Sequence, residues 1–192
     1  FCESDTYVHL RSFEPFWFSE NPWSELLESK TVLVISPFAK TIESQFAKKD
    51  LIWPNGLLPD FNIKTYKVPL NATMLATEPK DTWDEKLEEM KSEISELEFD
   101  IGLVGAGAWS LPLVAHLKRM GNSGVHIGGG LQILFGVKGK RWEVREDFQA
   151  MFNEHWTKPA AEEIPKTIGE YRRGSWLPSR YNPYNSDIDP YW

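Results

Sequence analysis

The chain is expected to fold as an α/β domain, a Rossmann-like, mainly parallel sheet with helices on both faces, and three observations predict this. TVLVISP at 31–37 is a continuous β-branched run of the kind found in strands buried on both faces. Between 81 and 98, Trp83, Leu87, Met90, Ile94 and Leu97 recur at spacings of four, three, four and three, the stripe of an amphipathic helix. Apolar strand-like runs and helical stretches then alternate along the chain, the order that builds parallel β-α-β units.

Taken in order, residues 1–30 hold the aromatic cluster FEPFWF and a helix start at Asn21-Pro22-Trp23-Ser24, and read as a lead-in packed against the sheet. After the first strand, Phe38, Ile42 and Phe46 at four-residue spacing predict a helix over 38–49. IKTYKVP at 63–69 alternates as a half-buried strand closed by Pro69. Asp81 or Thr82 is placed to cap the 81–98 helix, and Asp84 and Glu85 suit the positive end of its dipole. Next come a strand at 99–104, the turn Gly105-Ala-Gly-Ala-Trp109, and a helix at 110–120 carrying Leu113, Leu117 and Met120 and stopped by Gly121. A short strand at 125–127 and a helical turn at 131–135 follow. Beyond Pro159 the chain is polar and proline-rich, through Pro165, Pro178, Pro183 and Pro190. The organisation expected is one domain over 1–158, lacking its N-terminal part because the chain opens at Phe1 instead of a methionine, and an irregular C-terminal tail over 159–192 packed on it.

Charge narrows the partners. A net charge of −7 over 192 residues disfavours a nucleic acid or an anionic membrane surface, so any basic site must be local. The single cysteine, Cys2, excludes an intramolecular disulfide and a cysteine-built zinc site and fits a reducing compartment. No stretch reaches the roughly 18 apolar residues of a membrane span and no signal-peptide pattern is present, so a cytoplasmic location is the expectation.

In open parallel sheets ligands bind beyond the carboxyl ends of the strands. Three loops qualify: Ser36-Pro37-Phe38, the segment 105–110, and the segment 128–132. DIGLVGAGAWS invites a dinucleotide or S-adenosylmethionine reading through Gly105 and Gly107, but Ser110 stands where the fingerprint has Gly or Ala and no carboxylate ends the next strand. The alternative is that these glycines only permit tight strand-to-helix packing. In VHIGGGLQILFGVKGKRW, Gly128, Gly129 and Gly130 form a side-chain-free floor whose N–H groups can face an anion, with Lys138, Lys140 and Arg141 just downstream. That pattern suggests a diphosphate; the alternative is a glycine turn followed by a solvated basic hairpin. Gln132 offers an amide to a base or sugar, and Trp109 or Trp142 a stacking face, although aromatics at such spacings are more often core. Among the histidines His116 reads as a packed helix residue, and His126 is the candidate base unless its strand turns it into the core. No metal-ligand spacing is present, and Asp187 and Asp189 lie in the tail without a strand to fix them.

Four blocks, LRSFEPFWF with NPWS, VLVISPFAKTIESQF, FDIGLVGAGAWSLPLVAHLKRMG and HIGGGLQILFGVKGKRW, resemble in order those of the GT-D fold-like domain family, over about residues 7–160. The family is related to glycosyltransferases that use nucleotide-sugar donors. The resemblance implies transfer of a sugar from a UDP-sugar to a glycan or protein acceptor, with Gly128, Gly129, Gly130, Lys138, Lys140 and Arg141 on the diphosphate and Gly105 and Gly107 admitting the nucleotide near Trp109. It also implies a divalent metal, Mn or Mg, held by an Asp-x-Glu motif upstream of these blocks and absent from this sequence. The competing expectation is a non-catalytic domain that binds a nucleotide, a glycan or a protein.

Overall fold

A computed structural model describes residues 9–69 and 82–164, and in it the β-branched run becomes the central strand. β1 (Thr31–Ser36) lies between two parallel neighbours, β2 (Asn62–Lys67) and β3 (Ile101–Val104). β4 (Ser123–His126) pairs with β3, giving an all-parallel sheet of order β2-β1-β3-β4. Val34, for instance, stands opposite both Thr65 and Leu103. Because side chains alternate along a strand, β1 sends Val32 and Val34 to one face and Leu33 and Ile35 to the other, all four fully buried. Each such side chain contributes about 1.5–3 kcal/mol of burial, so this strand anchors both cores.

On one face pack α3 (Trp83–Ser95) and α4 (Ser110–Arg119), through Leu87, Met90 and Ile94 of the first and Leu113 and Leu117 of the second. Thr82 caps α3: its hydroxyl accepts from the Glu85 N–H while the Glu85 carboxylate accepts from the Thr82 N–H, a reciprocal capping box. His116 bridges the two helices, its Nε2 3.1 Å from the Lys91 carbonyl and 2.9 Å from Ser95 Oγ.

The opposite face is covered by α1 (Ala39–Phe46), α5 (Gly130–Leu134) and the aromatic lead-in. The helix expected over 38–49 ends at Phe46, and a separate short α2 (Lys49–Ile52) follows. Phe16 stacks on Trp53 at 6.3 Å, and Trp17 meets Phe148 edge-on at 5.1 Å. The basic stretch, for which a solvated hairpin is the alternative to an anion site, winds into α6 (Lys140–Glu143), followed by α7 (Glu146–Gln149). Beyond α7 a strap over 150–164 returns across α1, and Val137 and Thr157 form an isolated parallel bridge. Among the described residues no helix is long and apolar enough to cross a membrane. Cys2, Asp187, Asp189 and the prolines from Pro165 onward lie outside the described residues.

Candidate functional site

Strand order reverses between β1 and β3, so the crevice beyond their carboxyl ends is where such a sheet would receive a ligand. On the β1 side the chain fills the position itself. Glu163, 4% exposed, accepts from the Lys40 N–H at 2.8 Å and the Thr41 N–H at 3.2 Å, and also from the Thr41 hydroxyl. A strap carboxylate thus satisfies the first amides of α1. No local signal announces Glu163, which lies 122 residues beyond Thr41.

On the β3 side, Gly105 donates to the Ile35 carbonyl, and a methyl group there would fall 2.7 Å from the Gly128 carbonyl oxygen. Gly105 is therefore required by the close approach of two loops, and Ser110 Oγ closes the turn by accepting from the Ala106 N–H. Gly107 lies on the exposed rim of that turn. Trp109 corrects the sequence expectation: it is 3% exposed within the α3/α4 core and stacks on Trp83, so it offers no face to a nucleotide.

Beyond β4 the three glycines do not form the open amide floor expected of them. Gly128 N–H donates to the Val104 carbonyl at 3.3 Å and Gly130 N–H to the Ile127 carbonyl at 3.2 Å. Tight turns entering a short helix use up their own amides, and only Gly129 N–H lacks an acceptor among the described residues. What the glycines supply is access. Each has a chemically capable neighbour: His126 beside Gly128, Arg141 against Gly129, and Glu14 beside Gly130.

Arg141 lies so close to Gly129 that a methyl group on that glycine would stand 1.7 Å from Nη2. Its guanidinium sits 4.3 Å from the centre of the Trp142 ring, and Nη2 donates to Gln132 Oε1 at 3.3 Å. Gln132 is 4% exposed, so a buried amide helps set the direction of the cation. His126 is exposed, with Nδ1 3.2 Å from the Val104 carbonyl. A carbonyl only accepts, so Nδ1 is the donor in this contact, and in the neutral ring the lone pair that a general base needs falls on Nε2.

Glu14 was not singled out from the sequence, although it is the one acid inside the aromatic cluster FEPFWF. Its Oε1 lies 3.2 Å from where a methyl on Gly130 would stand, and Oε2 accepts from Trp17 Nε1 at 2.7 Å. Two of the expected cations are elsewhere or unengaged. Lys138 places its ammonium 5.4 Å from the Phe152 ring centre because its backbone is tied to the strap through the Thr157 carbonyl. Lys140 opens α6 and forms no ion pair among the described residues. Nearby, Arg145 hydrogen-bonds Asp147 and holds that carboxyl below its ordinary range, with Arg11 adding to the effect.

Compared with known proteins, the chain matches no family model, no curated protein and no solved structure. Among the described residues no three His, Cys, Asp or Glu side chains converge as a metal site would require.

Proposed function

We propose that the carboxyl end of β4 binds the diphosphate of a nucleotide-sugar, as in a glycosyltransferase that passes the sugar to an acceptor hydroxyl. The observation that carries this reading is the Arg141 guanidinium held against Gly129 by Trp142 and Gln132, with His126 beside the adjoining Gly128. A permanently charged guanidinium beside bare backbone is suited to phosphate contact, and its preorganisation reduces the cost of binding. Support for the sugar-transfer chemistry comes from the resemblance of the four sequence blocks to the GT-D fold-like domain family.

In the proposed reaction the acceptor oxygen forms a bond to the anomeric carbon, and the bond from that carbon to the diphosphate oxygen breaks. The nucleoside diphosphate leaves with the electron pair, neutralised by Arg141, and the hydroxyl proton passes to His126 Nε2. The described residues do not assemble a site for the divalent metal the resemblance implies, so no step here runs through one.

Isothermal titration of the full chain with UDP, with and without Mn, is the test. Binding is expected, with a loss of at least about tenfold in Arg141→Ala, the scale of one charge-assisted phosphate contact. Release of sugar from a UDP-sugar should fall in His126→Ala at unchanged UDP affinity. Absence of nucleotide binding, or equal binding by Arg141→Ala, overturns the reading. Glu14 favours a second one, a non-catalytic binding domain, because a carboxylate beside Gly130 opposes a second anion. That reading expects ligand binding with no turnover of any UDP-sugar.

A further inference from the structure

A separate concavity lies on the outer side of α1, where the strap crosses it. Gln45 Nε2 donates to the His155 carbonyl at 2.9 Å and Ala160 N–H to Thr41 Oγ1 at 2.9 Å, so the strap runs antiparallel to the helix. Between them is a cavity of about 420 Å3, within the usual range for small-molecule sites. Lys40 and Ser44, one turn apart on α1, and Lys48, just beyond its end, line it from one side, and Lys158 and His155 line it from the strap.

The charges are available. Lys40 pairs with Glu162 and Lys158 with Glu143, and the lysine side chains in these pairs are 71% and 51% exposed, so solvent screens both contacts and either ammonium can be recruited. Lys48 forms no ion pair among the described residues. A chain of net charge −7 therefore gathers lysines around one hollow. Glu154 stands at its rim, 3.6 Å from His155 Nε2, and opposes a purely electrostatic catch-all for anions.

Gln45 adds a directional element. It is 2% exposed, and its amide nitrogen donates to both the Gly136 and the His155 carbonyls, which leaves Oε1 without a donor among the described residues. The oriented carbonyl oxygen of a buried glutamine in the wall of a lysine-lined cavity accepts from a hydroxyl and repels a second phosphoryl oxygen. The combination selects a ligand carrying both hydroxyls and one phosphoryl group.

We propose that the cavity between α1 and the strap binds a small phosphorylated polyol, such as a hexose phosphate. Its phosphoryl group is met by Lys48 and Lys158, with Lys40 in reach, and a hydroxyl donates to Gln45 Oε1. This site is independent of the glycine turn beyond β4.

Titration calorimetry of the full chain with glucose 6-phosphate, inorganic phosphate and glucose tests it. Glucose 6-phosphate is expected to bind at least fivefold more tightly than inorganic phosphate, and glucose not measurably. Lys48→Ala combined with Lys158→Ala replaces exposed side chains, keeps the fold as judged by circular dichroism, and should weaken glucose 6-phosphate at least tenfold while leaving UDP binding unchanged. Arg141→Ala should do the reverse. Equal binding by the double lysine variant, equal affinity for the phosphate and the hexose phosphate, or loss of hexose phosphate binding in Arg141→Ala each overturns the proposal.

Discussion

The carboxyl ends of β1 and β4 both meet negative charge, but in different ways. At α1 the backbone amides are free and a buried side chain, Glu163, completes them with two N–H bonds and a hydroxyl. Beyond β4 the turn consumes two of the three glycine amides, and the charge that could attract an anion is one guanidinium positioned by an indole and an amide. The first arrangement is closed and belongs to stability. The second keeps its charge at a half-buried surface, where the proposed diphosphate would meet it. An α/β sheet can thus offer two anion-attracting ends and commit one of them to holding its own chain in place.

The largest expected effect comes from breaking the closed end. Glu163→Ala leaves two amides and the Thr41 hydroxyl without their acceptor, at a cost of about 2 kcal/mol, which lowers the melting temperature by roughly 4–8 °C in a calorimetric scan. UDP affinity should not change; a parallel loss would mean that the two ends act as one site. Gly129→Ala probes the open end. The added methyl displaces the tip of a flexible arginine, so stability should fall by less than about 1 kcal/mol while UDP affinity falls several-fold. Glu14→Gln removes the competing carboxylate and should raise UDP affinity by about two- to fivefold at low salt, with the gain shrinking as ionic strength rises. A loss of affinity would assign Glu14 to the ligand instead.

The smallest effect concerns the strap in acid. The hydrogen bond from Lys40, then the backbone N–H of Glu162 and the Lys40 charge, hold the Glu162 carboxyl below the ordinary range, and the same ion pair raises Lys40 above its own. A lowered carboxyl pKa gives a contribution that is present above the unfolded value, near about 4.3, and is lost as pH falls through the folded one. Amide exchange at 158–164, corrected for intrinsic rate, should therefore loosen slightly between pH 5 and pH 3 in the wild type and show no such step in Glu162→Gln.

Most of the framework was legible because it is local. The β-branched run, the four-three spacing of α3 and its Thr82 cap, and Gly121 after α4 each act within a turn or a strand, and all appear where their chemistry directs. The site was legible only in part. Proximity of Arg141 to the glycines followed from short separation in the chain, whereas the state of the amides depended on whether the turn tightened, which composition does not reveal. From the sequence, Trp109 is open between a stacking face and the core because position beside a loop does not tell which face of the sheet an indole enters. Lys138 was misplaced by a bridge to Thr157, and Glu163 and Glu14 arrive from distant segments, so no spacing rule reaches them.

The Glu163 contact also bears on how the molecule is made. At synthesis rates of about 5–20 residues per second, the 122 residues separating it from Thr41 take on the order of ten seconds to emerge from a ribosome. Throughout that interval the start of the first helix is exposed to any anion or chaperone surface nearby, and its final closure marks the moment when the nascent chain has delivered the described domain.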